Sequence, residues 1–282
     1  MLGGACTYIA LAASYFTEVG IVAVVGEDFR QEDTDLLEQR GIDLAGLARM
    51  PGQTFYWSGV YSDDMNDRTT LRTDLNVFAD FRPELPGHYR RKPYLLLGNI
   101  QPALQAEVRR QMESVRLAGG DTMNYWIEGF RPQLLEALRD WDFLLINDSE
   151  ARLLSGERLL RRAADAILEM GPRFVVIKRG EYGAALFSRE FSFAAPGYLL
   201  PELRDPTGAG DSFAGGFLGY LAEQGAGLGQ DDAWPGLLKR AVVYGSVMGS
   251  FCCENFGVDR FRTLTRAEID ARYQEFKSLT AF

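Results

Sequence analysis

Asp211 stands directly after Gly208, Ala209 and Gly210, inside the stretch DPTGAGDSFAGGFLGYLA of residues 205–222. A carboxylate there is unsuited to simple anion binding, because its charge repels the ligand. As a general base it makes sense. A positioned Asp takes the proton of an attacking hydroxyl while the amides before it hold the oxygens of a phosphoryl group in transfer. Asp205 and Pro206 end an extended segment, and Asp211 opens an apolar helix in which Phe213, Phe217 and Leu221 recur every four residues. The first N–H groups of such a helix lack intrahelical acceptors and lie at the positive end of its macrodipole, so its start is a cradle for an anion. Read structurally instead, Asp211 is a helix cap on a glycine-rich turn. Gly215, Gly216 and Gly219 each cost a helix about 1 kcal/mol relative to Ala, which predicts that something packs closely against it.

A second set of polar residues follows the carboxyl ends of predicted buried strands: Asn99, Asp121 with Asn124, Asn147 with Glu150, and Lys178 with Arg179. In an open α/β sheet that edge is where ligands bind. Asn147 and Glu150 are three residues apart and share a face if the NDSE turn is helical. Read from the residues alone, they form a capping box at the start of a helix. His88 is the only histidine, which disfavours Ser-His-Asp catalysis and multi-histidine metal sites.

The elements that must position these residues alternate in the βα manner of a parallel sheet. A buried Ala-rich helix is predicted over 5–16, a strand over 21–29, and a short helix from Asp33 to Gly41. Strands are predicted at 94–99, 115–124 and 141–147, each followed by helical sequence, and a strand, glycine-containing turn and second strand begin at Arg173. Helices from about Trp234 to Cys252 and over LTRAEIDARYQEF close the chain. Residues 54–78 differ: two aromatic and β-branched runs flank the polar DDMNDR, which predicts an antiparallel hairpin, either a lid or an exposed edge of the main sheet.

The 205–222 stretch resembles the second signature of the ribokinase-like (PfkB) family of carbohydrate and nucleoside kinases, D-T-x-G-A-G-D-x-F, and NDSE resembles that family's N-x-x-E element. The resemblance runs from Gly3 to about Gly257. It implies one ribokinase-like domain over 1–282: a three-layer α/β/α fold with a mostly parallel central sheet and a small β-lid at about 54–78 that often makes a dimer contact. It implies an ATP- and Mg²⁺-dependent kinase acting on a hydroxyl of a sugar or sugar derivative, with a nucleoside as the alternative acceptor. Asp211 is then the base, and Gly208, Ala209 and Gly210 form the anion hole. Asn147 and Glu150 position Mg²⁺ through water, and Lys178, Gly180 and Thr207 approach the nucleotide. Gly3, Gly4, Tyr8 and Asn99 line the acceptor side, and Asp205 and Thr207 offer backbone oxygens to a monovalent cation such as K⁺. Tyr8 stands where the family often has an Asn that binds sugar hydroxyls. The family's first strand and first lid strand have no counterpart before the Gly3-Gly4 element, so a truncated sequence is expected, and a catalytically idle binding relative is the rival.

A net charge of −9 with 24% charged residues disfavours nucleic acid as a partner, since binding it needs clustered Lys and Arg. Cys6, Cys252 and Cys253 form no C-x-x-C and imply no disulfide framework. No apolar run approaches membrane-spanning length, and the expected setting is the cytoplasm. No G-x-x-x-x-G-K-[ST] occurs. A Rossmann dehydrogenase is disfavoured because GAGDSF lacks the third glycine of its fingerprint and lies late in the chain.

Overall fold

The structure, a computed structural model, describes residues 1–63, 65, 68–227 and 233–280. Helix α1 (Ala5–Ala13) leads into strand β1 (Gly20–Val25), helix α2 (Gln31–Gln39) and strand β2 (Asp43–Arg49). β1 and β2 pair in parallel as a sheet of their own. The sequence reading did not separate β2 from its surroundings, because DLAGLAR lacks the β-branched alternation that marks a strand. A lid follows, made of β3 (Tyr56–Tyr61) and β4 (Arg68–Asp74), antiparallel and again a separate two-stranded sheet. The hairpin predicted over 54–78 is therefore present, and it is not an edge of the main sheet. Asp64, Asn66 and Asp67 of the predicted DDMNDR loop lie outside the described residues.

The central sheet is built from β5 (Tyr94–Leu97), β6 (Leu117–Asp121), β7 (Phe143–Asn147), β8 (Phe174–Lys178), β9 (Ala184–Ser188) and β10 (Ser192–Ala195), in the spatial order β10-β9-β8-β7-β6-β5. β5 to β8 run parallel, with α3 (Pro102–Gln111), α4 (Asn124–Gly129), α5 (Arg131–Leu138), α6 (Asp148–Ser155) and α7 (Leu160–Leu168) in their connections. β9 and β10 extend the sheet antiparallel. Successive side chains of a strand point to opposite faces, and β7 shows what that does. Phe143 and Leu145 join one apolar cluster, whereas Leu144 and Ile146 join another. The first cluster holds α1, α8 (Ala209–Glu223), α9 (Trp234–Cys252), α10 (Asp259–Thr263) and α11 (Arg266–Thr280), and the second holds the crossover helices. The result is a three-layer α/β/α arrangement. Among the described residues no helix is long and apolar enough to cross a membrane.

Helix α8 is buried from Ser212 through Leu221. Phe217 reaches the sheet, with ring centroids 5.8 Å from Phe143 and 6.2 Å from Phe174. The helix glycines face other helices. A Cβ at Gly215 would lie 2.3 Å from the Ile9 carbonyl oxygen of α1, and one at Gly216 would lie 2.5 Å from Cγ of Met248 on α9. Those contacts are the close neighbours that the glycine spacing predicts.

Candidate active site

Strand register brings the sequence-predicted residues to one edge. Leu97 pairs with Gly120, Asp121 with Leu145, and Asn147 with Lys178. Asn99, Asp121, Asn147 and Lys178 therefore sit at or just beyond the carboxyl ends of four adjacent strands. The start of α8 comes to the same edge. A Cβ on Gly210 would lie 3.0 Å from Lys178 Nζ, so the ammonium stands directly over the turn that carries Asp211.

The loop before α8 is held from several sides. Gly208 is left-handed, with φ 81° and ψ 1°, a conformation that costs glycine little and other residues more. The Tyr8 ring lies against it, only 2.5 Å from where a Cβ would be. The Thr207 amide donates to Asp205 Oδ1 at 2.9 Å, and Cys252 Sγ donates to the Thr207 carbonyl at 3.3 Å. Asp205 Oδ2 also accepts the Gly257 amide at 3.4 Å. Asp205 thus works as the brace of the turn, and the Thr207 carbonyl, expected to face a monovalent cation, is turned to a thiol. Of the three amides expected in the anion hole, Ala209's donates to the Pro206 carbonyl at 3.1 Å. The Gly208 amide has no acceptor among the described residues, and the Gly210 amide lies in the first helical turn, where N–H groups lack an intrahelical acceptor.

Asp121 proves more central than its strand-end position alone suggested. It is 8% exposed, and its Oδ1 is buried without a hydrogen-bond partner. Burial first, and the Asp211 charge next, push its carboxyl well above the usual carboxylate range. Lys178 pulls the other way and Glu150 pushes with Asp211. Asp121 thus lies within electrostatic reach of Asp211, Lys178 and Glu150. Gln105 fixes the strand ends by donating from Nε2 to the carbonyls of Gly98, at 2.8 Å, and Asp121, at 3.1 Å. The two glycines before Asp121 are a sequence feature that fits this depth, though no inference was drawn from them. Gly119 and Gly120 leave no room for Cβ atoms against Phe143 and Leu97, so the strand end is drawn tightly into the sheet.

The Asn147–Glu150 pair forms a full capping box. Glu150 N donates to Asn147 Oδ1 at 2.8 Å, and Asn147 N donates to Glu150 Oε2 at 3.1 Å. The capping reading and the metal reading are compatible, since the box holds both side chains at the strand end. Asn99 is engaged as well: its Oδ1 accepts from Trp126 Nε1 at 2.8 Å, and its Nδ2 faces the Met123 sulfur at 3.2 Å. Gly3 and Gly4 are exposed ahead of α1, with Gly4 at φ 92°. Tyr8 departs from the expected sugar-facing role, since it is 2% exposed and its ring serves as the cover of Gly208. Gly180, exposed at φ 56°, opens the turn after Lys178.

The lid reaches this loop. Tyr61, the last residue of β3, is hydrogen-bonded through its hydroxyl to Thr207 Oγ1 at 3.1 Å. Neither lid residue nor this contact was singled out from sequence, because nothing in a hairpin pattern tells which tyrosine faces inward.

A helix start that carries a carboxylate, with a lysine over it and a polar sheet edge beside a two-stranded lid, suits phosphoryl transfer. Residues 2–263 match the profile of the pfkB family carbohydrate kinases, and the chain belongs to that family. A cytidine kinase of Thermococcus kodakarensis is 29% identical over 225 residues, covering 78% of this chain and 80% of the relative. An E. coli protein described as a ribokinase II, in complex with ATP and Mg²⁺, superposes with a TM-score of 0.76 at 22% identity, covering 97% of this chain and 89% of its own. A nucleoside kinase of Methanocaldococcus jannaschii superposes with a TM-score of 0.76 at 20% identity, covering 97% and 86%. The ribokinase-like fold and the kinase assignment drawn from the GAGD and NDSE motifs hold.

Proposed function

We propose that this kinase transfers the γ-phosphoryl group of ATP to a hydroxyl of a sugar or sugar derivative. The observation that carries this reading is the placement of Lys178 Nζ over Gly210, one residue before Asp211. Asp211 takes the acceptor proton as the acceptor oxygen attacks the γ-phosphorus, the bond from phosphorus to the bridging oxygen breaks, and ADP leaves. The Gly208 and Gly210 amides and Lys178 face the charge on the transferred group. The donors at the edge suit Mg²⁺ bound through water and phosphate. They are oxygens of Asn147 and Glu150, held at the strand end by their capping box. Asn147 and Glu150 would hold the ion, which supplies charge neutralisation on the phosphates when bound.

A nucleoside acceptor is the second reading, favoured by the cytidine kinase relative that spans most of the chain. The lid, with Val60 54% and Leu71 65% exposed, is read as a contact between two copies. The deciding experiment is a coupled ADP-release screen over sugars, sugar acids and nucleosides, run with Asp211→Asn alongside. Acceptor-dependent ADP release that the variant loses, with ATP binding kept, supports the kinase reading; no acceptor in either class sinks it.

A further inference from the structure

The loop that carries the anion hole is braced by groups from three parts of the fold. Asp205 of the loop itself caps the Thr207 amide, Cys252 of α9 holds the Thr207 carbonyl, and Tyr8 of α1 covers Gly208. Two of the three belong to the buried body, since Tyr8 is 2% and Cys252 0% exposed, and Asp205 is half-buried on the loop itself. The remaining handle on Thr207, its side-chain hydroxyl, is held by Tyr61.

Tyr61 differs from the other braces in where it comes from. β3 and β4 share no backbone ladder with any other strand. Their base is anchored, since Asn76 Nδ2 donates to the Thr54 carbonyl at 2.9 Å, the Val77 amide donates to the Gln53 carbonyl at 3.2 Å, and the Phe55 and Phe78 rings meet edge to face at 5.9 Å. The far end of β3 reaches the loop through the Tyr61 phenol hydroxyl. A lid hinged at its base and tied at its far end can swing when that tie breaks. Tyr61 also sits close enough to influence the Tyr8 hydroxyl, which in turn feels Asp205 and Asp211. The lid's state therefore reaches the residues that shape the anion hole by contact at Thr207 and through the field at Tyr8.

We propose that the Tyr61–Thr207 hydrogen bond is a latch coupling lid closure to the anion hole, so that Tyr61 is a positioning residue that biases transfer toward the acceptor and away from water. The inference rests on the kinase reading above. With the latch closed, Thr207 and hence Gly208 are fixed while the space under the lid is closed to solvent, and the acceptor hydroxyl is the nucleophile. With it open, water reaches the same phosphorus. Its oxygen then forms the new bond, its proton goes to Asp211, and ADP leaves with inorganic phosphate as the second product.

Tyr61→Phe removes one oxygen and keeps the ring. In hydrogen exchange on the ligand-free protein, the variant should show about three- to tenfold faster exchange in residues 56–61 and 205–208, the ratio that loss of one ordinary hydrogen bond gives. Exchange in β7 should not change. In turnover, the ratio of inorganic phosphate to phosphorylated acceptor should rise several-fold. Thr207→Val should reproduce both effects, and Thr207→Ser, which keeps the hydroxyl, should restore both. Unchanged exchange in the lid and loop of Tyr61→Phe overturns the latch whatever the enzyme phosphorylates. An unchanged product ratio in an active Tyr61→Phe enzyme overturns it as well. A parent protein that phosphorylates no acceptor, yet shows the faster exchange in Tyr61→Phe, overturns the kinase reading and leaves the latch standing.

Discussion

Helix α8 and the lid face the same cleft and are built in opposite ways. α8 is buried along ten consecutive residues, touches α1 and α9 through its glycines and the sheet through Phe217, and delivers Asp211 from a fixed place. The lid is a two-stranded ribbon with Tyr56, Val60 and Leu71 exposed. A two-stranded ribbon alone is marginally stable in water, so the lid depends on its base and its contacts with the body. On the kinase reading proposed above, the chemistry falls to the buried helix and the enclosure of the acceptor to the exposed ribbon. On that reading precise placement matters most at Asp211 and the turn before it, where small displacements are costly in rate. Acceptors differ in shape, and a lid can accommodate that without disturbing the rest.

The largest expected effect is at Asp211. Asp211→Asn keeps the shape of the side chain and removes the base, so phosphoryl transfer should fall about 10²- to 10⁴-fold while the melting temperature and ATP binding stay near those of the parent. Steady-state ADP release and equilibrium nucleotide titration separate the two. A loss of less than tenfold would mean that the fixed part of the site does not supply the base, and the contrast with the lid would lose its chemical meaning.

Next in size is Gly215→Ala. The new methyl would lie 2.3 Å from a backbone oxygen of α1 and 2.8 Å from the Ala12 Cβ, and backbone cannot step aside as the end of a side chain can. Overpacking of this kind costs about 1–3 kcal/mol, read as a lower denaturant midpoint with an unchanged slope. Activity should fall with it, since α8 carries Asp211 on its first turn. If Gly215→Ala melts like the parent, α8 is not held as tightly as its neighbours imply.

Much of this division was legible in the sequence. The GAGD turn, the four-residue apolar repeat and the cost of three helix glycines pointed to α8 and to close packing around it, because each is a local property of the chain. The βα rhythm gave the strand ends, and NDSE gave both of its readings. Less legible were contacts between distant segments. Tyr61 and Thr207 are 146 residues apart, and Tyr8 packs on Gly208 from the other end of the chain. No spacing rule carries such information. β2 and β10 were missed for a different reason: both are rich in small or polar residues, and they are strands because a neighbour offers a ladder. Asp121 was seen as one polar strand end among several, and only its depth and its unpaired oxygen set it apart.

That depth gives a pH test of how dry the fixed half of the cleft is. Asp121 has a folded-state pKa raised above its unfolded value. The folded chain therefore keeps a proton that the unfolded chain loses. Asp121's contribution is fully present below the ordinary Asp value and declines as pH climbs toward the raised folded value. Asp121→Asn removes this slope. Its melting temperature relative to the parent should rise with pH across the range above about 4, by an amount on the scale of about 1 kcal/mol for one poorly satisfied buried group. Melting curves at matched pH values that remain parallel throughout would show that Asp121 is ionised and well hydrated, and the cleft wet.

The smallest effect belongs to the outer face of the lid. Leu71 is 65% exposed on β4, so Leu71→Thr keeps a strand-forming side chain and gives up little buried surface. In a monomer the change should stay within about 0.5 kcal/mol and leave turnover intact. A lid that pairs with a second copy behaves differently. The parent's melting temperature would then rise with protein concentration, because association stabilises the folded state by mass action, and Leu71→Thr would flatten that dependence and lower the mass in solution. Concentration-independent melting in both proteins would make the lid's apolar face a property of one chain, leaving Tyr61 and the base at Thr54 and Asn76 to account for how it is held.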